Sequence, residues 1–117
     1  MKLIVAIIRP ERWEAVRAEL NKHDIYLMTV SDVRGLGKER GTTELYRGAE
    51  LEEQHIPKLK VEIAVNDNFL EDALEAILVG ARSGNTGSIG DGKVFVLPMD
   101  DCVRIRTGER GKQAIGP

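Results

Sequence analysis

Hydrophobic positions along this chain fall into two matching halves, each reading strand, helix, strand. Leu3-Ile4-Val5-Ala6-Ile7-Ile8 is an unbroken apolar run that stops at Arg9-Pro10, as expected of a short strand buried on both faces. Pro10 suits the first position of a helix, and Trp13, Val16 and Leu20 follow at the spacing of one buried helical face. A second strand, about Tyr26–Val33, is rich in β-branched and aromatic residues. The pattern then vanishes until Pro57 and resumes as a strand at Leu59–Val65. Asn66-Asp67-Asn68 supplies turn and capping oxygens before a helix at about Phe69–Ala81, with Leu70, Ala73, Leu74, Ile77 and Ala81 on one face. Lys93–Leu97 reads as the return strand, and a further short strand is expected near Cys102–Arg106.

Sliding the chain by 58 positions lays Lys2–Ile7 over Lys60–Val65, Ala18 over Ala76 and Leu20 over Leu78. Two such units pack most simply as an α+β, ferredoxin-like βαββαβ sandwich, a four-stranded antiparallel sheet with both helices on one face. The other face has no helices. Apolar groups expected there include Ile4 and Ala6, or Tyr26, Met28 and Val30, so a homo-oligomer is expected.

At 117 residues, the chain suits one domain spanning 1–117. The net charge is −2, which gives no general attraction to nucleic acid or anionic lipid, so any basic function must be local. A single cysteine, Cys102, excludes an internal disulfide, and its place in an expected strand suggests a buried, inert thiol. The Leu3–Ile8 run is too short for a membrane span or a signal core, so a cytoplasmic location is expected. His23 and His55 lack metal-ligand spacing to any partner.

Candidate chemistry concentrates in Gly87-Ser88-Ile89-Gly90-Asp91-Gly92-Lys93 and in Arg104-Ile105-Arg106. Closely spaced glycines let backbone amides converge on an anion, with Lys93 adding a point charge. On a strand, Arg104 and Arg106 would share a face roughly 7 Å apart, matching neighbouring phosphates. The segment nearly fits a P-loop, yet Val94 stands where a magnesium-binding hydroxyl is required, and a strand follows where a helix should. A P-loop NTPase is therefore rejected. A plain glycine turn beside two solvated arginines is the competing reading. Between Val33 and Pro57, the glycines and charges suggest a mobile, solvated arm of the kind that carries function. Leu45, Tyr46 and Arg47 place favoured binding side chains near its tip, and an incidental tether is the alternative.

These segments are similar to the nitrogen-regulatory PII signal-transduction proteins. The resemblance runs through Gly35–Gly37, Thr43–Glu50, Pro57–Glu62, Thr86–Val96 and Val103–Gly111, and so covers essentially the whole chain. It implies a homotrimer with ATP or ADP in clefts between subunits, 2-oxoglutarate joining through Mg²⁺-ATP, and a T-loop (about 36–56) that docks on an ammonium channel, another transporter or an enzyme. The tail, about 107–117, closes the chain. By resemblance, Ile7, Thr29, Gly35, Glu62 and Ala64 surround adenine and ribose. Gly90, Asp91, Gly92, Lys93, Arg104 and Arg106 contact phosphates, and Lys38 stands where an arginine is frequent. Gly37, Glu39, Gly41 and Lys58 fall around the 2-oxoglutarate position, and Leu45, Tyr46 and Arg47 around the partner. Membrane contact would come only through a partner.

Three departures modify that expectation. Glu39 replaces a glutamine that helps hold Mg²⁺. A carboxylate can serve as ligand, but at about 5 Å and an effective dielectric near 20 it repels a dianion's nearer charge by roughly 3 kcal/mol. Weaker 2-oxoglutarate binding is expected. Leu51 replaces a tyrosine that some bacterial members uridylylate, so that switch is expected to be missing. Ser83-Gly84-Asn85 is extra before the phosphate segment. Rival readings are a paralogue sensing another metabolite for a non-ammonium transporter, a slow ATPase and an RNA-binding module. No nucleophile–base pair stands beside the glycines, and no aromatic RNP-like strand is present.

Overall fold

A computed structural model describes residues 1–38 and 53–116. The glutamate at 39, the glycine at 41, the Leu45–Arg47 tip and the leucine at 51 lie outside them. Chain order is β1 (Lys2–Ile8), α1 (Trp13–Lys22), β2 (Thr29–Lys38), β3 (Glu53–Val65), α2 (Leu70–Ala81), β4 (Gly92–Pro98) and a short α3 (Lys112–Ile115). The sheet runs β2-β3-β1-β4, and every pairing is antiparallel. This is the α+β, ferredoxin-like arrangement expected.

Pro10 begins a single 3-10 turn, Pro10–Arg12, and the α-helix proper starts at Trp13. Val16 and Leu20 of α1 and Ala73, Ala76 and Ile77 of α2 are buried against Ile4, Ala6, Ile8, Val61 and Ile63 of the two central strands. At roughly 25 cal/mol per Å² of apolar surface, this layer supplies most of the folding drive. The helices meet at Gly80. A Cβ there would lie 2.6 Å from Val16 Cα, so only glycine permits the approach. Arg12 Nε seals the contact by donating to the Gly80 carbonyl at 2.8 Å. Gly80→Ala gains about 1 kcal/mol of helix propensity, yet the overpacking cost should win, leaving the protein about 2 kcal/mol less stable. The midpoint of urea unfolding reads that loss directly.

Two expectations about the sheet need correction. Ile4 and Ala6 point toward the helices, whereas Leu3, Val5 and Ile7 face the helix-free side, where their cross-strand neighbours include Phe95 and Leu97. In an all-apolar run, the alternation that would reveal the facing is invisible. Tyr26 precedes β2 and is exposed, Met28 packs partly on the core, and Val30 pairs with Val61 on the helix side. Second, β2 and β3 extend well past their expected ends. Gly35 pairs with Ile56, Leu36 with His55, Gly37 with Gln54 and Lys38 with Glu53. The root of the arm is thus a two-stranded ribbon, and its glycines lie in paired strand. Hydrophobicity stops where the ribbon leaves the core, while backbone pairing does not.

Candidate functional site

The glycine segment forms a closed turn between α2 and β4, organised around one carboxylate. Asp91 Oδ2 accepts from the backbone amides of Ser83 (3.0 Å) and Ser88 (2.9 Å). Its Oδ1 accepts from Ser83 Oγ (2.5 Å) and Arg9 Nε (3.1 Å). The Ser83 hydroxyl, then the Ser88 and Ser83 amides, hold the Asp91 carboxyl far below the usual carboxylate range. It therefore stays ionised throughout the physiological range. Arg9 continues to the Ile89 carbonyl at 2.8 Å. Gly87 and Gly90 have φ of 81° and 98°, which side-chain-bearing residues rarely adopt.

Gly92 is the tightest point, because a Cβ there would sit 1.7 Å from the Ile7 carbonyl oxygen. Beside it, Lys93 lies across from Ile7 and has no hydrogen-bond or ion-pair partner among the described residues. Lys58 Nζ donates to the Gly90 carbonyl, linking β3 to the turn. Its side chain also passes Gly35, whose Cβ position is 3.6 Å from Lys58 Cγ. Gly35, Lys58, Gly90, Asp91, Gly92 and Lys93 therefore gather at the Ile8 end of the sheet, whereas Gly37 and Lys38 lie further out along the ribbon, five and six residues past Asp32, which is level with Ile8. Ile7 belongs to this group.

The remaining candidates occupy other ground. Thr29 pairs with Glu62, and Ala64 lies two residues further along β3 on the same helix-free face. Thr29, Glu62 and Ala64 line a cleft of about 310 Å³ with Met28, Cys102 and Ile115. Cys102 is half-buried on that wall and lies outside any strand, which corrects its expected setting. The expected strand at Cys102–Arg106 is also absent. Val103 makes a lone bridge to Arg110, and residues 105–107 form a turn, so Arg104 and Arg106 do not alternate as strand neighbours. Arg104 donates to Glu109 Oε1 and the Gln113 carbonyl, both at 2.9 Å, tying the turn to α3. Arg106 is exposed and has no partner among the described residues.

Asn66, just beyond β3, donates to the Gly116 carbonyl at 3.2 Å. This contact fixes α3, and with it Arg104, at the Lys2 end of the sheet. Six residues of β1 separate that end from the glycine turn, about 20 Å. Within one chain, the two basic groups do not converge.

Arg9 is the participant that sequence reasoning missed. Next to Pro10 it reads as a strand terminator, and only an 82-residue contact reveals its role. His23 does meet a carboxylate, with Nδ1 3.8 Å from Asp72 Oδ2, but this pair joins α1 to α2 at the end of the helical layer remote from the glycine turn. His55 Nδ1 lies 3.4 Å from Arg34 Nη1 on the ribbon. Among the described residues, no cluster of metal-binding side chains occurs, and no helix is long and apolar enough to cross a membrane.

The profile described as "Nitrogen regulatory protein P-II" matches residues 1–109. The chain is 50% identical over 115 residues to nitrogen regulatory protein GlnK1 of Methanosarcina mazei, covering 98% of this chain and 97% of that one. It is 46% identical to nitrogen regulatory protein P-II of Azospirillum brasilense, covering 98% and 100%. Among solved structures, it resembles GlnK of B. subtilis with a TM-score of 0.78 and 35% identity, covering 97% of this chain and 96% of that one. It also resembles Arabidopsis thaliana PII bound to citrate, with a TM-score of 0.76 and 40% identity, covering 97% and 88%. The matches span nearly the full length, and the fold agrees with them: this chain belongs to the nitrogen regulatory protein P-II family, a family of signal-transduction regulators.

Proposed function

We propose that this chain is a nucleotide-sensing PII subunit that works as a homotrimer. ATP or ADP binds between subunits, and its identity sets the conformation of the arm presented to an ammonium channel, another transporter or an enzyme of nitrogen metabolism. One observation carries the reading. The glycine turn with Lys93 and the arginine-bearing turn lie at opposite ends of one sheet, each with an unpaired cation. A polyphosphate site drawing on both must join two chains, and the apolar strip containing Leu3, Val5, Phe95 and Leu97 supplies a surface to join them. Lys93 and the Gly87, Ile89 and Gly90 amides suit the charge of a phosphate chain. Thr29, Glu62 and Ala64 would border the base and ribose across the interface.

Mg²⁺ accompanying ATP would fall to Glu39, a hard oxygen donor suited to it, and would offset phosphate charge. Lys58 would supply the cation for 2-oxoglutarate, whose uptake the glutamate at 39 weakens. The Ser83 hydroxyl does stand beside the Asp91 carboxylate, but four donors and a strongly lowered pKa make that carboxylate too weak a base to activate it, so the proposed role is regulatory and not enzymatic. Signalling then rests on differential affinity of ligands for two arm conformations.

Calorimetric titration with ATP, ADP, AMP, 2-oxoglutarate and bicarbonate, with and without Mg²⁺, tests this reading. Lys93→Ala should weaken ATP at least about tenfold while leaving the fold intact, because a charge-assisted phosphate contact is lost from an exposed side chain. Indifference of the wild-type protein to every adenine nucleotide would refute the sensor role.

A further inference from the structure

The extra segment Ser83-Gly84-Asn85 has a definite place in the turn. Ser83 donates its amide and its hydroxyl to Asp91, and its Oγ lies 2.8 Å from Ser88 Oγ. Gly84 and Asn85 bond to no described residue. The added length therefore enters through one residue that closes on the carboxylate, and the other two bridge the gap. Arg9 Nε donates to the same Oδ1 oxygen as the Ser83 hydroxyl.

This closure also decides which backbone donors remain. The Ser88 amide is committed to Asp91 Oδ2, and the Asp91 amide to the Ser88 carbonyl at 3.2 Å. The amides of Gly87, Ile89 and Gly90 donate to no described residue. Asp91 has four donors on its two oxygens and is therefore placed inside the turn as its anchor, not as a phosphate contact. A bare carboxylate facing a phosphate would repel it, whereas one saturated by serine and arginine donors spends its charge on the turn itself.

We infer that Ser83 is a positioning residue for phosphate binding, holding Asp91 so that the Gly87–Gly90 backbone keeps its spare amides in a fixed concavity. The inference rests on the nucleotide reading above. A turn ordered before the ligand arrives forfeits less entropy on binding, so the gain appears as affinity for the phosphates alone.

The test compares wild type with Ser83→Ala, Ser83→Thr, Asp91→Asn and Asn85→Ala in the full chain. ATP affinity is measured by calorimetry, and adenosine binding by ligand-observed NMR. Ser83→Ala and Asp91→Asn should each weaken ATP about tenfold with adenosine unchanged. Ser83→Thr should retain wild-type affinity because the hydroxyl remains, and Asn85→Ala should be silent. Equal ATP affinity in wild type and Ser83→Ala overturns the inference and spares the nucleotide reading. Parallel loss of ATP and adenosine overturns it too, since that marks general damage. Failure of the wild-type protein to take up ATP refutes both together.

Discussion

Replacing Gly92 with alanine should cost about 4 kcal/mol or more, enough to unfold a domain of ordinary stability. Two effects add at this residue. Its φ of 109° is strained for any residue with a side chain, and the new methyl would stand 1.7 Å from the Ile7 carbonyl oxygen. The clash cannot relax by side-chain rotation, because both parties are backbone. It relaxes only if β4 separates from β1, breaking the ladder that runs from Ile8–Gly92 to Lys2–Pro98. Gly108→Ala is the matched control. Its φ of 74° carries the conformational cost, but nothing lies within 4 Å of the added atom, so about 1 kcal/mol is expected. Denaturant melts of the two variants separate steric contact from backbone strain. A Gly92→Ala protein as stable as Gly108→Ala would show that the β1–β4 junction is looser than described.

The second large effect concerns assembly. Lys93→Ala and Arg106→Ala trimers should each lose high-affinity ATP at every site, since a ring repeats one defect at each junction. Co-refolded in equal amounts, they should recover binding. A junction is intact whenever an Arg106→Ala subunit offers Lys93 to a Lys93→Ala neighbour that still has Arg106. Random mixing makes about a quarter of junctions intact, so calorimetry should return about a quarter of the wild-type stoichiometry at wild-type affinity. No recovery would place both residues in one chain's site or remove one of them from phosphate binding. The 20 Å between the two ends of the sheet argues for recovery.

Periodicity made the βαββαβ order legible because each helix shows one apolar face and each half repeats the other. It failed where hydrophobicity stops tracking the backbone. Ribbon pairing from Gly35–Ile56 to Lys38–Glu53 depends on register with no core to signal it. The facing of Ile4 against Val5 depends on where the helices land. The glycine and lysine positions of the site were visible as chemistry, since positive φ and close approach demand residues that stand out in a sequence. Their organiser was hidden. Arg9 and Ser83 are ordinary residues that matter only through contacts to Asp91, formed when the end of β1 and the end of α2 meet the start of β4. The arginine pair was seen but misplaced, because Val103 and Ile105 resemble a strand while residues 105–107 turn.

The helix-free face is divided lengthwise, greasy along β1 and β4, polar where Ser31, Lys60 and Glu62 stand on β2 and β3. If every binding pocket is shared, a solitary subunit is only half a receptor. Dilution or chilling that loosens the greasy seam would then blind the protein to its effectors without altering a single ligand contact.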